Sequence, residues 1–271
     1  MLSSEQKMNG FIRLITISML IGACMPAAAS SHQDTSVRPQ TTILIGGQIS
    51  QSNKTLTPSK TTAALIDYLG KELNTKFTLK QYPWLRAMDA AERGEGMIYG
   101  IYKTKEREKK FIFSEPIFPD TIWLVTRCDK QFPFNRIADL QGKTIGLQPG
   151  SSGGVEFDQG IHTIFKPEHT TTDLTGSFLR LYQGRMDAFI FYEGYPHAIE
   201  LALDRFNRQH AVKDKKQFAP IFCKLEHPVT KTENYFAISR KADQSMMQKI
   251  NHVILRAKKN GDLDKIFSPH E

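Results

Sequence analysis

Cysteine is scarce in this chain, with three residues in 271: Cys24, Cys128 and Cys223. None falls in a CxxC pair or at metal-ligand spacing, so neither a zinc site nor a thioredoxin-like redox pair is expected. The eight histidines are scattered and form no metal or triad pattern. No cofactor and no metal are expected. Apolar runs of membrane-spanning length are absent. The basic stretches "KEREKK", "RFNRQHAVKDKK" and "LRAKKNGDLDK" hold a single aromatic residue, Phe206, and no recognition motif, which argues against nucleic acid as a partner.

What is present begins with a leader. "MLSSEQKMNGFIR" carries Lys7 and Arg13, "LITISMLIGACM" is uncharged and apolar, and "PAAAS" supplies small residues after a proline. This is the order of a secretory signal peptide. Residues 1–29 are expected to be removed near Ala29, followed by a polar linker over 30–39, and the mature protein is expected in the periplasm. Lipidation at Cys24 in "IGAC" is the competing reading. In an oxidising compartment Cys128 and Cys223 either pair or stay as two buried thiols; pairing is the expectation carried forward. The net charge of +8 favours an anionic ligand or a negative surface.

After the linker, strand and helix signals alternate. "TILIGG" and "KFTLKQ" read as strands, and "TPSKTTAALIDYLGKELN" as an amphipathic helix with Ser59 as its cap and Ala64, Ile66, Leu69 and Leu73 near one face. "PWLRAMDAAERGEG" reads as a helix with proline at its start and glycine at its end. The unit helix–glycine–strand then occurs twice, as "AMDAAERGEGMIYGI" and "FLRLYQGRMDAFIF". Two α/β halves of similar build predict an α/β, two-lobe protein: lobe 1 from residues 40–122 and 236–271, lobe 2 from 123–235. Each lobe is expected to be a mostly parallel sheet flanked by helices, with two crossing strands between them. Ligands of parallel sheets bind at the carboxyl ends of strands, which points to Gly100 in one half and Phe191 to Glu193 in the other.

The order "GIYKTKEREKKFIFSEPI", "ADLQGKTIGLQPGSSGG", "GRMDAFIF" and "INHVILRAKKNGDLDKIF" resembles the periplasmic solute-binding proteins of family 3, the polar amino-acid type of ABC importers. The resemblance implies the type II periplasmic-binding-protein fold and a monomer that closes on a small solute and delivers it to an ABC permease in the inner membrane. The family's motif runs glycine, threonine two residues on, arginine five further, then aromatic-Ser-acid-Pro. Gly100, Arg107 and Phe113-Ser114-Glu115-Pro116 fit it, while Tyr102 stands at the threonine position. In the family that arginine binds the ligand carboxylate. A guanidinium suits the task, since it offers two parallel charge-assisted hydrogen bonds and stays protonated when buried. By the same resemblance, Gln148, Ser151 and Ser152 complete the carboxylate site, and Trp84 packs on the ligand. Arg86 is expected at the surface.

Three polar positions depart from the family. Tyr192 stands where an acidic residue holds the ligand ammonium, Gln48 stands at a second acidic position, and Tyr102 is the third change. Glu193, next to Tyr192, is the remaining acid. Without a carboxylate in the site, a desolvated ammonium lacks a partner, so an anionic solute without a free α-amine is expected. Two other readings stay open. One is a sensor-associated binding protein. The other is a periplasmic dehydratase-like enzyme with Glu193 as general acid. The Gly-Ser string Gly150–Gly154 is read as an anion-binding turn, not as a nucleophile elbow.

Overall fold

The computed structural model describes residues 40–47, 58–170, 173–210 and 219–268. The leader and linker over 1–39, with Cys24, and the ligand candidate Gln48 lie outside the described residues.

The first half alternates as its sequence predicts: β1 (Gln40–Gly46), α1 (Lys60–Glu72), β2 (Lys76–Tyr82), α2 (Trp84–Glu92) and β3 (Met97–Ile101). A one-turn helix α3 (Lys105–Glu108) and the short strand β4 (Phe111–Phe113) follow. The second half contains β5 (Phe118–Arg127), β6 (Thr144–Leu147), α4 (Val155–Gly160), β7 (Lys166–His169), α5 (Leu174–Tyr182), β8 (Ala188–Tyr192), α6 (Ala198–His210) and β9 (Phe222–Lys224). The chain then returns through β10 (Thr230–Ser239) to α7 (Ser245–Lys259) and α8 (Asp262–Phe267).

Ser59 caps α1, accepting a hydrogen bond from Thr62 N at 3.1 Å. The inward face of α1 is Thr61, Leu65, Ile66 and Leu69, so Leu65 is buried and Ala64 only half-buried. The helical period explains this: 61, 65 and 69 are four apart and fall one above the other.

The strands run β2-β1-β3-β10-β5-β8-β6-β7, with β4 added beside β10 and β9 beside β5. The β1–β2, β1–β3, β6–β7 and β6–β8 pairs are parallel. The two parallel sets are joined by antiparallel stretches. Residues 235–239 of β10 pair with β3 and β4, whereas Thr230–Asn234 pair with Phe118–Ile122 of β5. Beyond Ile122, β5 turns to β8. The changeover therefore lies at 118–122 and 230–234. Packing follows the same division. Phe118 belongs to a core with Phe236, Ile250 and Phe267, while Ile122 and Leu124 belong to another with Leu147 and Phe157. Among the described residues, no helix is long and apolar enough to cross a membrane.

Cys128 and Cys223 are joined by a disulfide across 95 residues of sequence. It sits beside the β5–β9 pairing, where Thr126 faces Cys223.

Candidate functional site

A cavity of about 260 Å³ lies where the two halves meet. Gly46, Trp84, Tyr99, Gly100, Tyr102 and Arg107 line it from the first half. Gln148, Ser151, Ser152, Tyr192 and Gly194 line it from the second, and Asp120 and Asn234 come from the crossing stretches. Eight of the sequence-named residues are thus brought together: Trp84, Gly100, Tyr102, Arg107, Gln148, Ser151, Ser152 and Tyr192.

Arg107 differs from the rest of the charged run Lys105–Lys110 in its burial. It is 7% exposed, while its five charged neighbours in that run are all exposed. Thr104 caps α3 by accepting from Arg107 N at 3.2 Å, and the turn this fixes aims the guanidinium inward. Nη1 donates to Tyr102 O at 2.8 Å and Nη2 to Gly150 O at 2.9 Å. The guanidinium carbon lies 5.7 Å from the centre of the Trp84 ring. Burial pulls the guanidinium below its ordinary pKa, partly offset by Asp158, Tyr192 and Tyr102; an arginine remains protonated in such surroundings. Arg86, by contrast, is exposed and stacks over Tyr82.

The glycine-serine turn contributes through its backbone. Gly150 O accepts from both Trp84 Nε1 (2.9 Å) and Arg107 Nη2, so one carbonyl links the halves. Gly150 has φ +73°, and a Cβ there would lie 2.2 Å from Leu85 Cδ2, so the turn requires glycine at this point. The Ser151 hydroxyl donates to Gln148 O at 2.6 Å. Residues Gly150–Gly154 do spell the letters of a GxSxG elbow, but the Ser152 hydroxyl donates to Asp158, and no histidine lines the cavity. The spelling has no base to go with it.

The far wall holds two residues that the sequence reading missed. Asp120 is 3% exposed and Asn234 is 5% exposed. Asp120 Oδ2 accepts from the Tyr102 hydroxyl at 2.7 Å and from Asn234 Nδ2 at 3.0 Å; Oδ1 accepts from Gly194 N at 2.8 Å. Burial raises the Asp120 pKa above the ordinary carboxylate range, and these hydrogen bonds resist the shift. The available signal was local: an acid directly after Pro119 near the start of a strand, on the same face as Phe118 and Ile122.

Glu193 lies elsewhere. Successive strand residues point to opposite faces, so Tyr192 turns to the cavity and the next residue turns away. The Glu193 carboxylate accepts from His197 N at 3.0 Å and from Trp123 Nε1 at 3.3 Å, and it lines a separate pocket of about 460 Å³ against α6. Neither the ammonium-binding nor the general-acid role considered for it has access to the cavity. The Tyr192 hydroxyl is buried without a hydrogen-bond partner, and burial raises its pKa.

Residues 61–270 match the bacterial extracellular solute-binding proteins, family 3. The chain belongs to that family. Among curated relatives of this family 3 protein, the L-cystine-binding protein TcyJ of Bacillus subtilis is 25% identical over 171 residues. The match takes in 62% of this chain and spans 58% of that relative's length. Solved structures of lower identity share the fold. An ancestral arginine-binding protein bound to arginine superposes with a TM-score of 0.66 at 21% identity, covering 85% of this chain and 97% of its own. A mutant of ArgBP from T. maritima gives 0.64 at 19%, covering 84% and 93%. An ancestral amino acid-binding protein described as a precursor of cyclohexadienyl dehydratase gives 0.63 at 18%, with the same coverage. These neighbours are type II periplasmic binding proteins, as the α/β halves and crossing strands lead one to expect.

Proposed function

We propose that this family 3 protein captures a small carboxylate-bearing solute between its halves and delivers it to an ABC permease. It acts as a monomer in the periplasm after loss of its leader, without catalysing a reaction. Residues 40–122 with 236–271, and residues 123–235, move as two lobes about the crossing stretches. The observation that carries this reading is Arg107, a buried cation with no acidic partner within ion-pair distance among the described residues, lining a cavity shared by both halves. A buried charge of this kind calls for an anion, and the planar fork is suited to a carboxylate. Trp84, Tyr102 and Tyr192 bound the solute laterally, and Gln148, Ser151 and Ser152 approach from the second lobe. Because contacts to both lobes exist only when they are together, binding shifts the population toward closure.

A thermal-shift screen of the mature protein against amino acids, organic acids and oligopeptides tests this. Ligand at about 100 times Kd adds about 2.7 kcal/mol of stability, and about 2–4 °C accompanies each kcal/mol in a chain of this size. Carboxylate-bearing hits should lose their shift in Arg107→Ala. An unchanged shift in that variant refutes the reading.

A further inference from the structure

The second half holds a separate and larger cavity, which capture of a solute between the halves does not use. It measures about 460 Å³ and lies between α5, α6 and the sheet face of β6 and β8. Small residues on three elements open it: Gly146 from β6, Ser177 from α5, and Ala198 and Ala202 from α6. On α6, positions 198, 201, 202, 205 and 206 follow the helical period, so one stripe of that helix faces the cavity. On β8, Phe189, Phe191 and Glu193 share one face and line the opposite wall. Leu174 and Leu201 also line it, yet are 38% and 53% exposed. A packed interior leaves no void of this size, whereas the volume and the aromatic lining suit a small-molecule site.

The charges of this cavity stand at opposite ends. Glu193 is at the start of α6, where its carboxylate already accepts from His197 N and Trp123 Nε1. Arg205 follows Ala198 by seven residues, about 10 Å along the helix axis. It has no acidic partner within ion-pair distance among the described residues, because the acids near it on α6 are taken: Asp204 pairs with Arg208, and Glu200 with Lys224. From the apolar walls and this free cation we propose that the cavity is a second binding site, which takes a free amphipathic monocarboxylate of the medium-chain fatty-acid class. Its chain lies between α6 and the Phe189–Phe191 face, and its carboxylate meets Arg205. The Glu193 end sets the choice of ligand, since a second carboxylate arriving there would face an existing one. Gln148 and Tyr192 line both this cavity and the one between the halves, so the two sites share a wall.

The test is calorimetric titration of the mature protein with butanoate, hexanoate, octanoate and suberate, the dicarboxylate of octanoate's length. Octanoate should bind, and each methylene removed from it should weaken binding by up to about fourfold, the value of a buried methylene. Suberate should bind about tenfold or more weakly than octanoate, because its second charge opposes Glu193. Two variants locate the site, since neither residue lines the cavity between the halves. Ala202→Trp fills the space and should abolish octanoate binding. Arg205→Glu should weaken it about five- to tenfold, as for reversal of one partner in an exposed charge pair. Arg205 is exposed, so this substitution spares the fold. Failure of octanoate to bind wild type overturns the proposal, and so does suberate bound as tightly as octanoate. Octanoate affinity kept in Arg205→Glu puts the acid elsewhere and overturns it too, even if Ala202→Trp fails to fold.

Discussion

The two ends of the cavity are built on opposite plans. At one end a buried guanidinium is held by two carbonyls, Tyr102 O and Gly150 O, from different halves of the molecule. At the other, a buried carboxylate is held by a phenol, an amide and a backbone N–H, two of them on or beside the crossing stretches. Neutral dipoles solvate each charge, and neither has a counter-ion among the described residues. The two charged side chains are thus held at opposite poles of the cavity without neutralising each other. The difference is in what each end requires. The Arg107 end is completed by Gly150 from the opposite half, whereas the Asp120 end is tied to the strands that both halves share.

The comparison can be broken most severely at Arg107. Arg107→Ala should cost about 2–5 kcal/mol of solute affinity, roughly thirty-fold to a few thousand-fold, measured by calorimetry. Arg107→Lys should recover only part, since an ammonium lacks the planar fork. An effect confined to stability, with affinity kept, contradicts a binding role.

Next in size is a change remote from either pole. Removing the Cys128–Cys223 bond with a double serine substitution should lower stability by about 2–4 kcal/mol, read by urea unfolding. Solute affinity should stay unchanged, because the bond lies beside β9 and away from the cavity. A parallel loss of affinity would show that the second half is not an independent support for the site.

Gly150→Ala sharpens the contrast. It forces an L residue to φ +73° and places a methyl against Leu85, costing about 1–2 kcal/mol. The unfolding midpoint should fall accordingly, and affinity should fall by no more than about tenfold; an unchanged midpoint would show that the turn tolerates a side chain. The smallest effects belong to Lys105→Ala and Lys109→Ala, whose exposed charges should each contribute well under about 1 kcal/mol. Losses equal to that of Arg107→Ala would erase the distinction between the buried cation and its neighbours.

A pH titration separates the poles by sign. Burial raises the Asp120 pKa in the folded protein, so the native state binds this proton more tightly than the unfolded chain does. The associated stability is fully present below the ordinary carboxylate value of about 3.9 and is lost as pH rises through the raised folded value. Wild type minus Asp120→Asn, followed by thermal unfolding without added solute, should show that decline. The Arg107 end should show none in the same range. A difference curve that is flat, or that rises with pH, contradicts the assignment.

The contrast also marks how far the sequence could be read. Arg107 was legible because one spacing, glycine to arginine to Phe-Ser-Glu-Pro, carried it. The structure supplies the reason for the last element: Ser114 is buried and accepts from Phe236 N at 3.0 Å, tying β4 to β10. Asp120 belongs to no such spacing. Its partners come from positions 102, 194 and 234, and only the folded pairing of β5 with β10 brings them together. The same limit applies to the fold. Amphipathic α1 and α2 and the apolar strands were readable from their periods. The strand β7, Lys-Pro-Glu-His at the sheet edge, has no strand signature, because an edge tolerates proline where a central strand does not. Helix α6 was hidden in a stretch whose basic residues drew attention to its charge. Glu193 misled because adjacency in sequence to Tyr192 means opposite faces in a strand.

The Gly150 carbonyl makes the protein its own weak competitor. A solute carboxylate arriving at Arg107 contends with an acceptor already tethered nearby, at an effective concentration no free metabolite reaches. Selection against feeble anions follows, because a solute must outdo a carbonyl before it gains anything. A background follows too: a chain that can satisfy Arg107 from within can draw its halves together unaided. Under the proposed delivery to a permease, docking on shape alone would answer to false arrivals, and a faithful permease would have to register what lies between the halves.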